Sequence, residues 1–351
     1  MAVTKKKTEL DILNVFLCVL VLFIHTASEP VTKLSADAVA FAPLFMLWKA
    51  ATVAVPGFLF VSGIKLGLGF SSSRKSYGAF LRDKLLKIYV PYVLYVCVYY
   101  VYFITKDYFS FRFWDLLSYI FIGDLAAHFY FVVILMQFFI LMPIFKSWIE
   151  KYSPLLLLTA SLLVTVLFGQ FLPDMLRAVS GGKIEFLYND RLFTSYLFYY
   201  MLGMLAGHKY NAYLAFLKEN KKPIVILGLF VLLLNIGFSY AERKNGVYFG
   251  FSYLLQTVYC VGILPLLSVV AVSLAKHKKP FESKTFRMIN ASTFSVYLLH
   301  LLVMFSVNDL LEFLPSLGIL ELFVLRFTAT TLITFGLCML YAWLKQKFFK
   351  K

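Results

Sequence analysis

The sequence predicts an all-α, polytopic integral membrane protein: a helix bundle of about ten transmembrane helices with both termini cytoplasmic. Three observations carry that expectation. Hydrophobic residues fill 61% of 351 positions and charged residues only 15%, against about 45–50% and about 25% in a soluble globular chain. Apolar runs recur along the whole chain, each near the roughly 20 residues needed to cross the hydrocarbon. Lys and Arg are dense and sparse in alternate loops. With so little polar surface, the chain has lipid as its solvent, and a soluble enzyme or binding module is excluded.

The spans are expected near 11–28, 47–69, 86–104, 129–146, 154–172, 192–208, 223–240, 249–274, 289–307 and 319–343. The first follows Lys5, Lys6 and Lys7 as a signal peptide would, but no small-residue cleavage site precedes Pro30. Nine spans come after it, so it reads as a retained helix. The second holds Pro56, Ser62 and Gly63, and small residues let helix backbones approach closely. The third is entered through Arg82, Lys84 and Lys87, with Pro91 just inside it. The fourth opens at His128, and the fifth to eighth are plain apolar runs. The ninth contains His300 and the tenth Arg326, for which Glu321 offers a partner on the same helix. Leu116–Ile122 is too short to cross and reads as interfacial. No repeat or low-complexity stretch interrupts the pattern, and no fused soluble domain is expected.

Sidedness follows from the bias of Lys and Arg toward cytoplasmic loops. With the N-terminus inside, 23 of the 34 basic residues fall on inner segments (Lys5 to Lys7, Arg74 to Lys87, Lys146 and Lys151, Lys209 to Lys222, Lys276 to Arg287, Lys345 to Lys351) and 8 on outer loops. Lys49, Lys65 and Arg326 lie within spans. The net charge of +16 is thus a topology device in contact with anionic lipid headgroups, and a nucleic-acid partner is not required. Cys18, Cys97, Cys260 and Cys338 sit in apolar runs without metal-ligand or disulfide spacing, so they read as packing residues. Glycine-rich phosphate loops, zinc-type histidine pairs and serine-hydrolase elbows are missing from the sequence, and no metal site is expected.

Ionisable groups at membrane depth are costly and so mark candidate sites. In the first span Asp11, Asn14, Cys18 and His25 are separated by 3, 4 and 7 residues. At about 100° per residue they fall within about 60° of one another, one polar stripe on an otherwise apolar helix. Lipid cannot satisfy that stripe, so it faces the interior or a wet cavity. An unperturbed imidazole is suited to proton transfer near neutral pH, which makes His25 a candidate; it could equally be a structural hydrogen-bonder. Glu29, one turn further, either orients the imidazole or is a solvated carboxylate at the helix exit. Arg82, Lys84 and Lys87 are topology signals that could also hold a phosphate-bearing donor. His128, Tyr297 and His300 add polar groups at other span ends, and Ser295, Tyr297 and His300 share a helix side in part.

These residues resemble acyltransferase family 3, the multispanning membrane acyltransferases that decorate bacterial surface and secreted glycans. Asp11 and His25 match the family's opening motif, in which an arginine stands at the position of Asn14. FLFVSGI (58–64), the basic run into Pro91, HFYFVVILMQFFILMP (128–143), YYMLGMLAG (199–207) and SVYLLH (295–300) resemble five further family segments in the same order. The resemblance implies one transmembrane acyltransferase-like domain over residues 1–351 in the bacterial cell membrane. It also implies acetyl or succinyl transfer from cytosolic acyl-CoA, a co-substrate rather than a bound cofactor, to a hydroxyl of a glycan or lipid-linked sugar outside. His25 would be the catalytic base. Asp11, Asn14, Ser62, Arg82, Lys84, Lys87, His128, Tyr297 and His300 would bind substrates. An exopolysaccharide exporter or a non-catalytic accessory subunit is the alternative, and Asn14 in place of arginine keeps it open.

Overall fold

A computed structural model describes residues 7–70, 76–313 and 317–349, and every regular element among them is helical. In chain order these are α1 (Thr8–Lys33), α2 (Phe41–Ala51), α3 (Ala54–Gly69), α4 (Tyr77–Lys84), α5 (Val90–Thr105), α6 (Phe113–Ile122), α7 (Tyr130–Ile140), α8 (Met142–Lys151) and α9 (Pro154–Val166). There follow α10 (Leu172–Val179), α11 (Leu197–His208), α12 (Tyr210–Glu219), α13 (Lys221–Asn245), α14 (Ser252–Ala275), α15 (Lys278–Phe281), α16 (Lys284–Leu311) and α17 (Ile319–Phe349). Lys5, Lys6, Arg74, Lys75, Lys350 and Lys351 of the charge pattern lie outside the described residues.

Among the described residues, eight helical segments are long and apolar enough to cross a membrane: Thr8–Lys33, Phe41–Gly69, Tyr77–Thr105, Pro154–Val179, Lys221–Asn245, Ser252–Ala275, Lys284–Leu311 and Ile319–Lys345. The fourth expected span is broken instead into α7 and α8, which meet at 56°. Pro143, in the first turn of α8, has no N–H to continue the ladder and forces the break. Counted as one span, the pair brings the total to nine. The expected span at 192–208 is a 3₁₀ turn, Phe193–Tyr196, running into the 12-residue α11. Its rise of about 26 Å, from about 1.5 Å per α and about 2.0 Å per 3₁₀ residue, is just short of the roughly 30 Å hydrocarbon. Helix α6, ten residues long, is too short to cross.

The chain divides into two compact units, Met1–Val61 with Leu214–Lys351, and Ser62–Tyr213. In the first, α1 packs against α2, α14, α16 and α17, while α13 packs on α14 and α2. Such a helix meets protein on several sides, and its buried residues include Leu13, Leu17, Leu22 and Ala27. Cys18, Leu22, Val296 and Cys338 form one buried cluster with Phe58, Phe327 and Phe335 against it, so two of the four cysteines are packing residues. The opposite faces are apolar as well: Ile226, Leu227, Phe230 and Leu233 on α13, and Leu332, Ile333 and Leu340 on α17, are exposed. Faces of that kind are suited to lipid and not to water.

In the second unit, glycines set the tightest helix contact. A Cβ added at Gly63 would collide with the Tyr200 carbonyl oxygen, one at Gly67 with that of Met204, and one at Gly207 with that of Ile64. Gly63 and Gly67, and Gly203 and Gly207, are each four residues apart, the small-xxx-small pattern of closely packed membrane helices. Helix α11 is accordingly buried over most of its surface. Two π-helical turns, Leu85–Tyr89 and Leu167–Phe171, each run into a proline, Pro91 and Pro173. Pro173 has no N–H for the Gly169 carbonyl, and the Asn189 side chain donates to that oxygen at 3.2 Å.

Candidate functional site

The polar stripe of α1 meets a second stripe on α16. Asn290, Thr293, Tyr297 and His300 are spaced by 3, 4 and 3 residues, which places them on one helix face. Asn290 donates to the Asp11 carboxylate at 2.8 Å, and Asn14 donates to Asn290 at 3.2 Å and to the Thr293 hydroxyl at 3.0 Å. The Cys18 thiol lies 3.7 Å from the Thr293 carbonyl oxygen. Partner positions advance together along both helices, so the two run parallel. The stripe therefore faces the interior, as lipid's inability to bond it demands. It is met largely by a neighbouring helix.

At the far end of this seam His25 faces His300, with ring centroids 5.2 Å apart. His300 is fully buried, and His25 is half-buried. The Nδ1 of His300 is 2.7 Å from the Tyr297 carbonyl oxygen. Tyr297 is buried beside it, its ring 6.4 Å from that of Phe58. One turn beyond His25, Glu29 forms ion pairs with Lys33 at 2.6 Å and with Arg326 of α17. Arg326 also donates to Asn308 of α16 at 2.5 Å.

Two sequence expectations are corrected here. The partner of Arg326 is Glu29, whereas Glu321 accepts from the backbone N–H of Gly318 at 2.6 Å. Glu29 is consequently an ion-paired group that ties helices together, although its side chain stays 37% exposed. Same-helix proximity suggested Glu321, but α1 brings a carboxylate to the arginine from the packed side.

Five of the expected site residues, Asp11, Asn14, His25, Tyr297 and His300, thus share one seam. The other five lie in the second unit. Ser62 is beside Gly63 at the tight crossing. Arg82 and Lys84 close α4, and Lys87 follows on the π turn. Lys87 pairs with Asp83 at 2.6 Å, and Lys84 sits over the Phe139 ring at 4.6 Å. His128 is buried just before α7, its ring 5.7 Å from that of Tyr99. Since Lys84 touches the last turn of α7 and His128 precedes the first, α7 holds them about 15 Å apart along its axis. Asn290, Thr293, Glu29 and Asn308 were missed as partners in sequence, although the 290–293–297–300 spacing carried the signal. Among the described residues no group of three His, Cys, Asp or Glu is placed to hold a metal ion.

Comparison with known proteins gives this arrangement its context. A family model described as "Acyltransferase domain" matches residues 7–343. The chain is 24% identical over 307 residues to a "Probable poly-beta-1,6-N-acetyl-D-glucosamine export protein" of Staphylococcus aureus (strain MSSA476), covering 86% of this chain and 83% of the relative. The protein of the same description from Staphylococcus epidermidis is 25% identical over 305 residues, covering 86% and 82%. No solved structure matches. A match over nearly the whole length, on a chain of apolar helices with bacterial relatives, establishes that this multi-pass protein of the bacterial cell membrane belongs to acyltransferase family 3.

Proposed function

We propose that the protein is an O-acyltransferase that moves an acetyl or succinyl group from cytosolic acyl-CoA to a hydroxyl of a glycan or lipid-linked sugar outside the membrane. The position of His25 supports this reading most. It is a half-buried imidazole on the helix that packs against four others of its unit, with a second imidazole behind it. A sugar hydroxyl is a poor nucleophile until its proton is removed as the new bond forms, and imidazole does this near pH 7. In the reaction the hydroxyl oxygen bonds to the thioester carbonyl carbon while its proton passes to His25. Collapse of the adduct breaks the carbon–sulfur bond, and the departing thiolate takes that proton, leaving an ester and free coenzyme A.

Arg82, Lys84 and Lys87 are the candidates for the donor's phosphates, which cations recognise well. Lys84 and Lys87 already have partners within their unit, whereas Arg82 is exposed on the last turn of α4. Asp11, Asn14, Ser62, His128, Tyr297 and His300 are the remaining substrate-binding candidates. The relatives' descriptions make a β-1,6-linked N-acetylglucosamine polymer the glycan class to try first.

The second reading, an exporter or accessory subunit of polysaccharide assembly, is favoured by the same descriptions and by Asn14. Its amide is engaged with Asn290 and Thr293 where relatives of the family place a cation. Purified protein in lipid vesicles, given acetyl-CoA or succinyl-CoA with an N-acetylglucosamine oligomer, separates the two. Acceptor-dependent release of coenzyme A supports the transferase. Passage of unmodified oligomer across the vesicle without that release supports the exporter.

A further inference from the structure

We infer that two breaks in the helical backbone of the second unit meet near the middle of the membrane and form a site for a sugar ring, held by Asp124 and Arg191. The inference rests on the reading that a glycan is the substrate and names the place where one ring of it binds; it holds for transferase and exporter alike. The first break is residues 123–129, and α5 fixes its depth. Tyr92, 15 residues from Tyr77 and 13 from Thr105, is near the middle of the segment Tyr77–Thr105. The Tyr100 hydroxyl donates to the Arg112 carbonyl at 2.9 Å, and that of Tyr92 to the Ile120 carbonyl at 3.0 Å. Helix α6 therefore descends beside α5 to mid-depth, where Gly123 ends it in the left-handed conformation, φ 75°. Helix α7 starts just after Phe129, whose ring contacts those of Tyr92 and Tyr99 at 5.4 and 4.9 Å. It ends where the Tyr77 hydroxyl donates to the Ile140 carbonyl at 2.8 Å. With ten and eleven residues, α6 and α7 rise about 15 Å and about 16 Å, each about half of the roughly 30 Å hydrocarbon.

The second break is residues 189–196. Thr165, near the middle of the segment Pro154–Val179, holds it at mid-depth: its hydroxyl donates to the Thr194 carbonyl at 3.2 Å and accepts from the Phe198 N–H at 3.0 Å. On the other side Gln137 of α7 donates to the Arg191 carbonyl at 2.8 Å and accepts from the Phe193 N–H at 2.9 Å. The Arg191 guanidinium thereby reaches Tyr130, the first residue of α7, at 6.0 Å from its ring, and Tyr188 at 5.1 Å. Both breaks border one space, since the charges of Asp124 and Arg191 act on the same Tyr92 hydroxyl. Non-helical backbone at this depth is tolerated only inside protein or beside water. Ala127 is exposed, and the Asp190 carboxylate, paired with Arg191 at 2.6 Å, belongs to a side chain that is 47% exposed. An exposed carboxylate here faces water and not lipid. Two buried polar atoms, Asp124 Oδ1 and Arg191 Nε, have no hydrogen-bond partner among the described residues. Ionisable groups left unsatisfied at membrane depth mark a ligand site. One accepts and the other donates, a pair that neighbouring sugar hydroxyls answer together, whereas a phosphate would meet the carboxylates of Asp124 and Asp190. Tyrosine rings beside the guanidinium suit the apolar face of a sugar.

Cysteine labelling with a charged thiol reagent tests the site without an acyl donor. The background carries Cys97→Ser, because Cys97 is the one cysteine that is not buried. In nanodiscs, Ala127→Cys is expected to react, and an N-acetylglucosamine oligomer is expected to slow the reaction. The oligomer concentration that halves labelling should rise about 10–100-fold in Asp124→Asn and in Arg191→Gln, the effect of losing a hydrogen bond to a charged group, with labelling in the absence of sugar unchanged. An unreactive Ala127→Cys in folded protein would show a dry break, and labelling that the oligomer does not slow would show no sugar subsite; either overturns the inference. Parental protection in both variants would remove Asp124 and Arg191 from it. If the parent releases coenzyme A in response to oligomer and Asp124→Asn keeps the parental KM, the site falls and the transferase reading stands. If oligomer protects Ala127→Cys but no coenzyme A is released, the site stands and the transferase reading falls.

Discussion

Glu29 of α1 and Arg326 of α17 form an ion pair that, through Asn308, also holds α16. The pair is unequal: the arginine side chain is 9% exposed and the glutamate 37%. Removing one partner of a buried pair is costly because it strands the other charge, so the two deletions should differ. Glu29→Gln leaves a buried guanidinium with Asn308 and is expected to cost about 2–4 kcal/mol. Arg326→Gln leaves a partly solvated carboxylate that keeps Lys33 and should cost about 1–2 kcal/mol. Thermal melts in detergent check the order, and the double variant should recover part of the sum because the residues are coupled. A larger loss from Arg326→Gln than from Glu29→Gln would contradict this account.

The glycine contacts of the second unit give a sharper stability prediction with internal controls. Gly63→Leu, Gly67→Val and Gly207→Val each drive a side chain into a backbone carbonyl, which no rotamer relieves. Overpacking of this kind costs about 1–3 kcal/mol or more, so these variants should accumulate poorly in the membrane and melt early. Gly69 and Gly237 have nothing within reach of an added Cβ. Gly69→Ala and Gly237→Ala should stay within about 0.5 kcal/mol of the parent.

The charge pattern predicts that Lys183 is outside and Lys278 inside, and that both termini are cytoplasmic. Cysteines introduced at Lys183 and Lys278 should react with an impermeant label from opposite sides of the membrane. A terminal reporter should place the N- and C-termini on the same side, which needs Phe193–His208 to complete a tenth crossing. Termini on opposite sides would show that this segment does not cross.

How far this structure was legible in the sequence differs from element to element. The stripe Asp11–Asn14–Cys18–His25 was visible because helical period alone places those residues together. Its partner was not, because which helix packs on α1 is a tertiary outcome that no local spacing states. The same reason hid Glu29 as the partner of Arg326 behind the nearer Glu321. The apolar run at 192–208 was plain, but hydropathy does not distinguish an α-helical start from the 3₁₀ turn at Phe193–Tyr196. Pro143 inside an apolar run carried the signal for the bend between α7 and α8.

Donor binding on the inner face is predicted to depend unevenly on its three cations. Lys84 lies over Phe139, so Lys84→Gln should lower stability by roughly 0.5–1 kcal/mol as well as weakening acyl-CoA binding. Arg82→Gln is expected to weaken binding with little change in melting temperature, and the loss should shrink as salt rises, since screened surface charges matter less. Isothermal titration with acetyl-CoA across a salt series checks both. Unchanged affinity in a correctly inserted triple variant would reduce these residues to topology signals.

The central claim is that His25 takes the proton from the acceptor hydroxyl, and the most direct measurement is acyl transfer by His25→Ala in lipid. General-base assistance is worth about 10²–10⁴-fold, whereas a purely structural histidine affects stability first. His25→Ala should therefore lose transfer by about that factor while its expression and melting temperature stay near those of the parent. His25→Gln, which bonds but cannot carry the proton, should lose it too. Parental transfer rates in a well-folded His25→Ala protein would contradict the account.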